Sequence, residues 1–285
     1  NVPLSYVMVF GRLGFPEMGI VGAAISTLIA TSFSLLLFVA FYLQKEHRKR
    51  FRVLESFKLD RAILKRFLRL GFPSGAELFL NVAAFNLFLL MFQSYGVVQG
   101  ASAAIVFNWD ILSFVPMMGL NIAVISLIGR FVGAGDMAKT NEVIAAGFLL
   151  ALCYSAVLAS VFILFRFPLV EVFAPPDGDF EEIRALSAFM MIGLSTYAMA
   201  DAVILVSGGV LRGAGDTRWL MATSVTLHWA MLVAQYFIIR VLQYGPRASW
   251  WAFVALILSI AVVYVLRLKG GRWRDPEALM LVMAE

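Results

Sequence analysis

ALSAFMMIGLSTYAMADAVILVSGGVL, residues 185 to 211, is an uninterrupted apolar run that holds one acid, Asp201, one helical turn after Tyr197, and no base. About 20 apolar residues in a helix cross the ~30 Å of hydrocarbon in a bilayer, so a run of this length reads as a membrane span. A carboxylate at its centre is costly. Even the lenient insertion scale charges roughly 2.5 to 3.5 kcal/mol for it, which selects for residues that face a protein interior or a wet cavity and take part in function.

The remainder of the chain repeats this pattern. With 61% hydrophobic residues, 14% charged and a mean hydropathy of +0.87, it lies far outside the range of soluble domains and is an integral membrane protein. Further full-length runs extend over Gly19 to Leu43, Gly71 to Val98, Ala101 to Gly129, Val143 to Phe165 and Trp219 to Ile239, with a shorter one over Trp250 to Leu266. The first run, Asn1 to Phe10, is half a span, and the chain opens on Asn1 rather than Met; the expectation is a fragment lacking its N-terminal part. Cys153 has no partner for an intrachain disulfide and reads as a small core hydrophobe.

Basic residues orient the spans, because loops rich in Lys and Arg stay in the cytoplasm. Segment 44–70 holds ten of them, and alternate crossings put Arg130 with Lys139, Arg212 with Arg218, and Arg267, Lys269, Arg272 and Arg274 on the same side, eighteen of the 23 in all. The acidic, turn-rich stretch from Pro175 to Glu182 falls outside. The C-terminus is therefore expected in the cytoplasm. Within the linker, Asp60 is placed to cap an amphipathic helix with Ile63, Leu64, Phe67 and Leu68 on one face, expected to lie flat on the inner membrane surface. Its neighbours are anionic headgroups, so its charge points to lipid rather than to nucleic acid.

At 1.5 Å of rise per residue, Asn81, Asp110 and Asp201 each fall about 14 to 15 Å from a membrane face, the layer where transporters hold substrates and coupling ions. Glu77 is one turn nearer the cytoplasm on the face of Asn81. Each has a structural alternative: Asn81 as interhelical amide, Asp110 as a hydrogen-bonded acid near the helix irregularity at Pro116, Glu77 as a shallow group touching water. His228 reads as a packed neighbour of Trp229. Asp201, deep and beside a tyrosine hydroxyl, favours a cation or proton site.

Gly-Ala-Gly-Asp occurs at 133–136 and again at 213–216, each time at the cytoplasmic end of a span among basic residues. Glycines there end helices and make turns. The motif resembles the GxGD of intramembrane aspartyl proteases, but such aspartates meet inside the membrane, and these lie at its surface. With no metal-ligand cluster and no nucleophile beside a base, no catalytic residue is assigned.

Leu211-Arg212-Gly213-Ala214-Gly215-Asp216-Thr217-Arg218 after the Tyr197/Asp201 span, Gly71-Phe72-Pro73 opening another, Pro116-Met117-Met118-Gly119-Leu120 in the next and Gly19-Ile20-Val21-Gly22-Ala23-Ala24 in the first resemble the multidrug and toxic compound extrusion (MATE) transporters, NorM-like branch. The resemblance covers essentially the whole chain. It implies an all-α, polytopic transmembrane bundle, running from the end of the fifth helix through the twelfth of a twelve-helix protein. Residues 1–43 are then the last part of the N-terminal lobe, 44–70 a basic cytoplasmic linker, 71–268 the C-terminal six-helix lobe and 269–285 a cytoplasmic tail.

Such a protein exports organic cations in exchange for Na⁺ or H⁺ by alternating access, needs no cofactor beyond that coupling ion, and sits in the bacterial inner membrane. Its partners are the small-molecule organic cation, membrane lipid and the missing N-terminal lobe. The branch's cation site of tyrosine and aspartate four residues apart matches Tyr197 and Asp201, where Na⁺ is expected. Where the branch has a glutamate, this chain has Asn81, which cannot titrate; Glu77 or Asp110 then supplies the missing charge. The expected cation or proton set is Asp201, Tyr197, Asn81 and Glu77, with Asp110 and Asn81 in the substrate cavity. A flippase of lipid-linked saccharides is the alternative, expected to line its cavity with more cationic groups.

Overall fold

The computed structural model describes residues 1–50, 59–175 and 180–274, and every regular element among them is a helix. The chain divides into two units, Asn1–Lys65 and Arg66–Glu285.

In the first unit α1 (Val2–Val9) folds back on α2 (Gly19–Tyr42), followed by the short α3 (Lys45–Arg50). The reversal uses left-handed φ angles at Gly11, Leu13 and Gly14. Two contacts hold it: Met18 N–H donates to the Met8 carbonyl at 3.1 Å, and the Ser5 and Ser26 hydroxyls meet at 2.8 Å. The half-span and the full span are as the hydropathy predicts. Among the described residues seven helices are long and apolar enough to cross a membrane.

From α4 (Arg61–Gln93), whose first turn belongs to the first unit, the second unit takes most of that helix and then α5 (Val97–Gly133), α6 (Met137–Leu164), the short α7 (Arg166–Glu171), α8 (Glu181–Gly213), α9 (Thr217–Tyr236) running into a π-helical turn Phe237–Val241, and α10 (Pro246–Lys269). Asp60 caps α4 as its position suggests, its Oδ1 accepting from Ala62 N at 2.8 Å and Ile63 N at 3.2 Å. The capped helix does not stop before Gly71 to lie as a separate surface element. It continues unbroken through Pro73 into the span, because adding a turn to an existing helix costs less than ending one and nucleating another. Linker residues 51–58, loop residues 176–179 and the tail from 275 lie outside the described residues.

α8 is the core helix: 56% of its span is buried, against 22% for α5 and α6 and 28% for α10, all of which pack on it. Its N-terminal half meets an aromatic cluster. Phe88 stacks on Phe253 at 4.8 Å, Phe85 meets Phe107 edge-on at 4.9 Å, and Tyr197 and Trp250 close the group around Phe253. Trp250 reaches α8 at Gly193, where an added Cβ would stand 2.3 Å from the indole nitrogen, and so donates to the Met190 carbonyl at 3.1 Å. Close helix approach of this kind replaces the hydrophobic drive that lipid does not supply. At the far end, Gln235 and Ser249 exchange hydrogen bonds of 3.0 and 2.6 Å, tying the end of α9 to α10.

Candidate functional site

Tyr197 and Asp201 lie one turn apart on α8, and α5 brings Asp110 against them. Tyr197 is only 2% exposed, its ring held edge-on by Trp250 and Phe253. Its hydroxyl faces the Asp110 carboxyl without closing a hydrogen bond, so it is a buried, unpartnered polar atom. Asp201 stands within electrostatic reach of Asp110. Among the described residues neither acid forms an ion pair with a Lys or Arg. All the side-chain donors gathered here are oxygens, two carboxyls and a phenol, a set that suits a hard monovalent cation or a proton.

Glu77 and Asn81 do not join this group. Glu77, 3% exposed, accepts through Oε1 from Arg212 Nη2 at 2.7 Å, and Asn81 donates Nδ2 to Ser224 Oγ at 2.7 Å. Ser224 also accepts on its carbonyl from His228 Nδ1 at 2.8 Å, which fixes the ring hydrogen on Nδ1. The four residues of the expected cation set therefore fall into two clusters. Counted from the turn that joins α8 to α9, Ser224 is about 10 Å along α9 and Asp201 about 18 Å along α8, so Asn81 sits a turn or more nearer that turn than the acid pair. Of Asn81, Asp110 and Asp201, which their spacing puts in one layer, the structure brings the two aspartates together.

Arg212 is the partner that sequence reasoning misses, since a base at the end of a span ordinarily turns outward to water. Here the guanidinium turns inward across Gly208, one turn before it on α8. A Cβ at Gly208 would lie 3.4 Å from both Arg212 Nη1 and the Tyr264 ring. A glycine four residues ahead of a terminal arginine is the signal that was available.

The two GAGD copies both lie at helix junctions, and they differ. Asp136 caps α6, accepting from Lys139 N at 3.0 Å, whereas Asp216 takes Arg267 from α10 at 2.8 Å, with that guanidinium 5.0 Å over the Trp219 ring. Neither approaches Asp110 or Asp201, so the geometry of an intramembrane protease is not formed.

The family model described as MatE matches residues 73–237, more than half of the 285 residues. The chain belongs to the MatE family. Solved structures share the fold: a MOP superfamily transporter from Pyrococcus furiosus, described as having a binding pocket of reverse polarity, superposes with a TM-score of 0.82 at 20% identity, over 96% of this chain and 61% of that one. An outward-facing multidrug resistance MATE transporter gives 0.79 at 20% identity over 96% and 60%, and an inward-facing one 0.70 at 18% over 97% and 62%. The chain thus spans about three fifths of the length of these proteins. MatE proteins with solved structures are transporters rather than enzymes, and the helical MatE fold accounts for the whole described chain.

Proposed function

We propose that this chain is part of a secondary antiporter that exports organic cations in exchange for Na⁺ or H⁺ by alternating access, with Asp110, Tyr197 and Asp201 as the shared binding site. The observation that carries the reading is the acid pair without a base. Two like charges held close together within a span repel, and a cation or proton between them relieves this. Cargo and coupling ion then compete for the same oxygens, which couples their movements through differential affinity in the two states. Asp110 supplies the second carboxylate that Asn81 cannot, since Glu77 already has Arg212 as its counter-charge.

One relative of this fold is described as having a pocket of reverse polarity, so fold alone does not fix the charge of the cargo. The acidic pair supports a cationic one. A flippase of anionic lipid-linked saccharides would need bases facing the cavity, and Arg212, the base that turns inward, is engaged by Glu77. The remaining lobe of the full-length protein, a bacterial inner membrane and a cytoplasmic C-terminus complete the proposal.

The test is efflux of a cationic dye by the full-length protein in proteoliposomes under an imposed Na⁺ or H⁺ gradient. Asp201→Asn and Asp110→Asn are each expected to bring gradient-driven efflux to background. Efflux by Asp201→Asn at the wild-type rate would sink the reading.

A further inference from the structure

Pro116 stands inside α5 and has no N–H, so the Leu112 carbonyl four residues earlier loses its helical donor and the ring presses against it. The turn just before Pro116 is therefore weakly held by the helix's own ladder. Two hydroxyls make up for this. Ser113 Oγ donates to the Asp110 carbonyl at 2.7 Å, and Tyr154 Oη, from α6, donates to the Ser113 carbonyl at 3.0 Å. On the other side of Asp110, Trp109 Nε1 donates to the Leu169 carbonyl of α7 at 3.0 Å. The backbone that carries Asp110 is thus tied to both neighbouring helices.

Beyond Pro116, α5 is fixed to α8 by a separate set of contacts: Met117 packs with Ala202 and Val206, and Asn121 Nδ2 donates to the Leu205 carbonyl. The two halves of α5 are gripped independently, and the half with Asp110 takes its setting from the ties before the proline. We propose that Tyr154 is a positioning residue: its hydroxyl, acting through Ser113, sets the turn of α5 on which Asp110 meets Tyr197 and Asp201.

This rests on the reading of those three residues as a cation site. A side chain reaches about 5 to 6 Å from its helix axis, so a twist of about 10° carries a carboxyl about 1 Å sideways. Binding groups must be held to within about 0.5 Å of their working geometry. A single hydrogen bond from α6 is in this way enough to decide whether the Asp110 carboxyl shares a cation with Asp201. The Tyr154 ring packs against the cluster of Met117, Ala151, Ala202 and Val206, so Tyr154→Phe removes the bond and keeps the packing.

The experiment is a double-mutant cycle on the full-length protein, read as the affinity for ethidium, a fluorescent organic monocation. Tyr154→Phe is expected to weaken binding about fivefold, the size of one hydrogen bond, and Ser113→Ala to weaken it in the same direction. In an Asp110→Asn background, which itself binds ethidium more weakly, Tyr154→Phe is expected to add nothing, because the residue acts through Asp110. A further fivefold loss in that background would overturn the proposal, since Tyr154 would then be supporting the whole unit. Wild-type affinity in Tyr154→Phe, with Asp110→Asn weakened, would overturn it and leave the cation site standing. Wild-type affinity in Asp110→Asn would overturn both.

Discussion

Glu77 on α4 and Arg212 on α8 stand 135 positions apart in the chain and 2.7 Å apart in the fold. The pair joins the first helix of the second unit to its core helix below the aromatic cluster. It also separates two roles that the sequence leaves merged: Glu77 has a counter-charge, and Asp110 and Asp201 have none.

Removing Arg212 leaves a buried carboxylate without compensation, a defect that costs about 3 kcal/mol or more. Arg212→Met is therefore expected to lower the unfolding midpoint of the purified protein strongly, and Glu77→Gln in the same background to restore most of the loss. Should the double variant melt no later than Arg212→Met alone, the ion pair is not what fails.

Tyr197→Phe separates stability from binding. Deleting a buried hydroxyl that has no partner removes an unmet desolvation cost of about 1 kcal/mol or more, so the variant is expected to melt at or above the wild-type temperature. Binding of a cationic dye, followed by fluorescence titration, is expected to weaken about tenfold, a loss of about 1.4 kcal/mol. Equal dye affinity would remove the phenol from the site.

Gly193→Ala drives a methyl into the Trp250 indole, 2.3 Å from its nitrogen, and breaks the bond to Met190. Overpacking of a tight contact costs about 1 to 3 kcal/mol. Gly75→Ala on α4 meets nothing within 4 Å and is expected to be neutral or to gain about 0.5 to 1 kcal/mol from helix entropy. Thermal melts of the two variants decide between packing and a general intolerance of alanine in these helices.

Matching substitutions in the two GAGD copies are expected to give opposite results. Asp136→Asn keeps a good N-cap and leaves stability unchanged, since Asn and Asp cap about equally. Asp216→Asn loses the charge that holds Arg267 and costs about 1 to 2 kcal/mol. Equal melting of both variants would mean that the copies play one role.

Much of the fold was legible without coordinates. The seven apolar runs correspond to seven helices; the run Gly19 to Leu43 is α2 to within a residue, and Asp60 caps where its spacing said it would. The chief error in the elements is α4, where Gly71 and Pro73 suggested a start and the helix runs through both. Of the proposed site, the placement of Tyr197 and Asp201 one turn apart on a single helix was readable from their four-residue spacing inside an apolar run. The assignment of Asn81 and Glu77 to the same cluster was not upheld by any contact among the described residues.

What the sequence determines by itself is each helix, because in lipid the backbone must satisfy its hydrogen bonds within the segment and apolar length sets where it can do so. That requirement is local, and so is its signal. Which side chains meet is decided by how far each helix is turned about its axis and shifted along it, and one residue changes the facing direction by about 100°. Those offsets come from packing: Gly193 admitting Trp250, and Gly208 leaving a slot for Arg212. The tertiary structure alone therefore pairs Asp110 with Asp201 and gives Glu77 to Arg212.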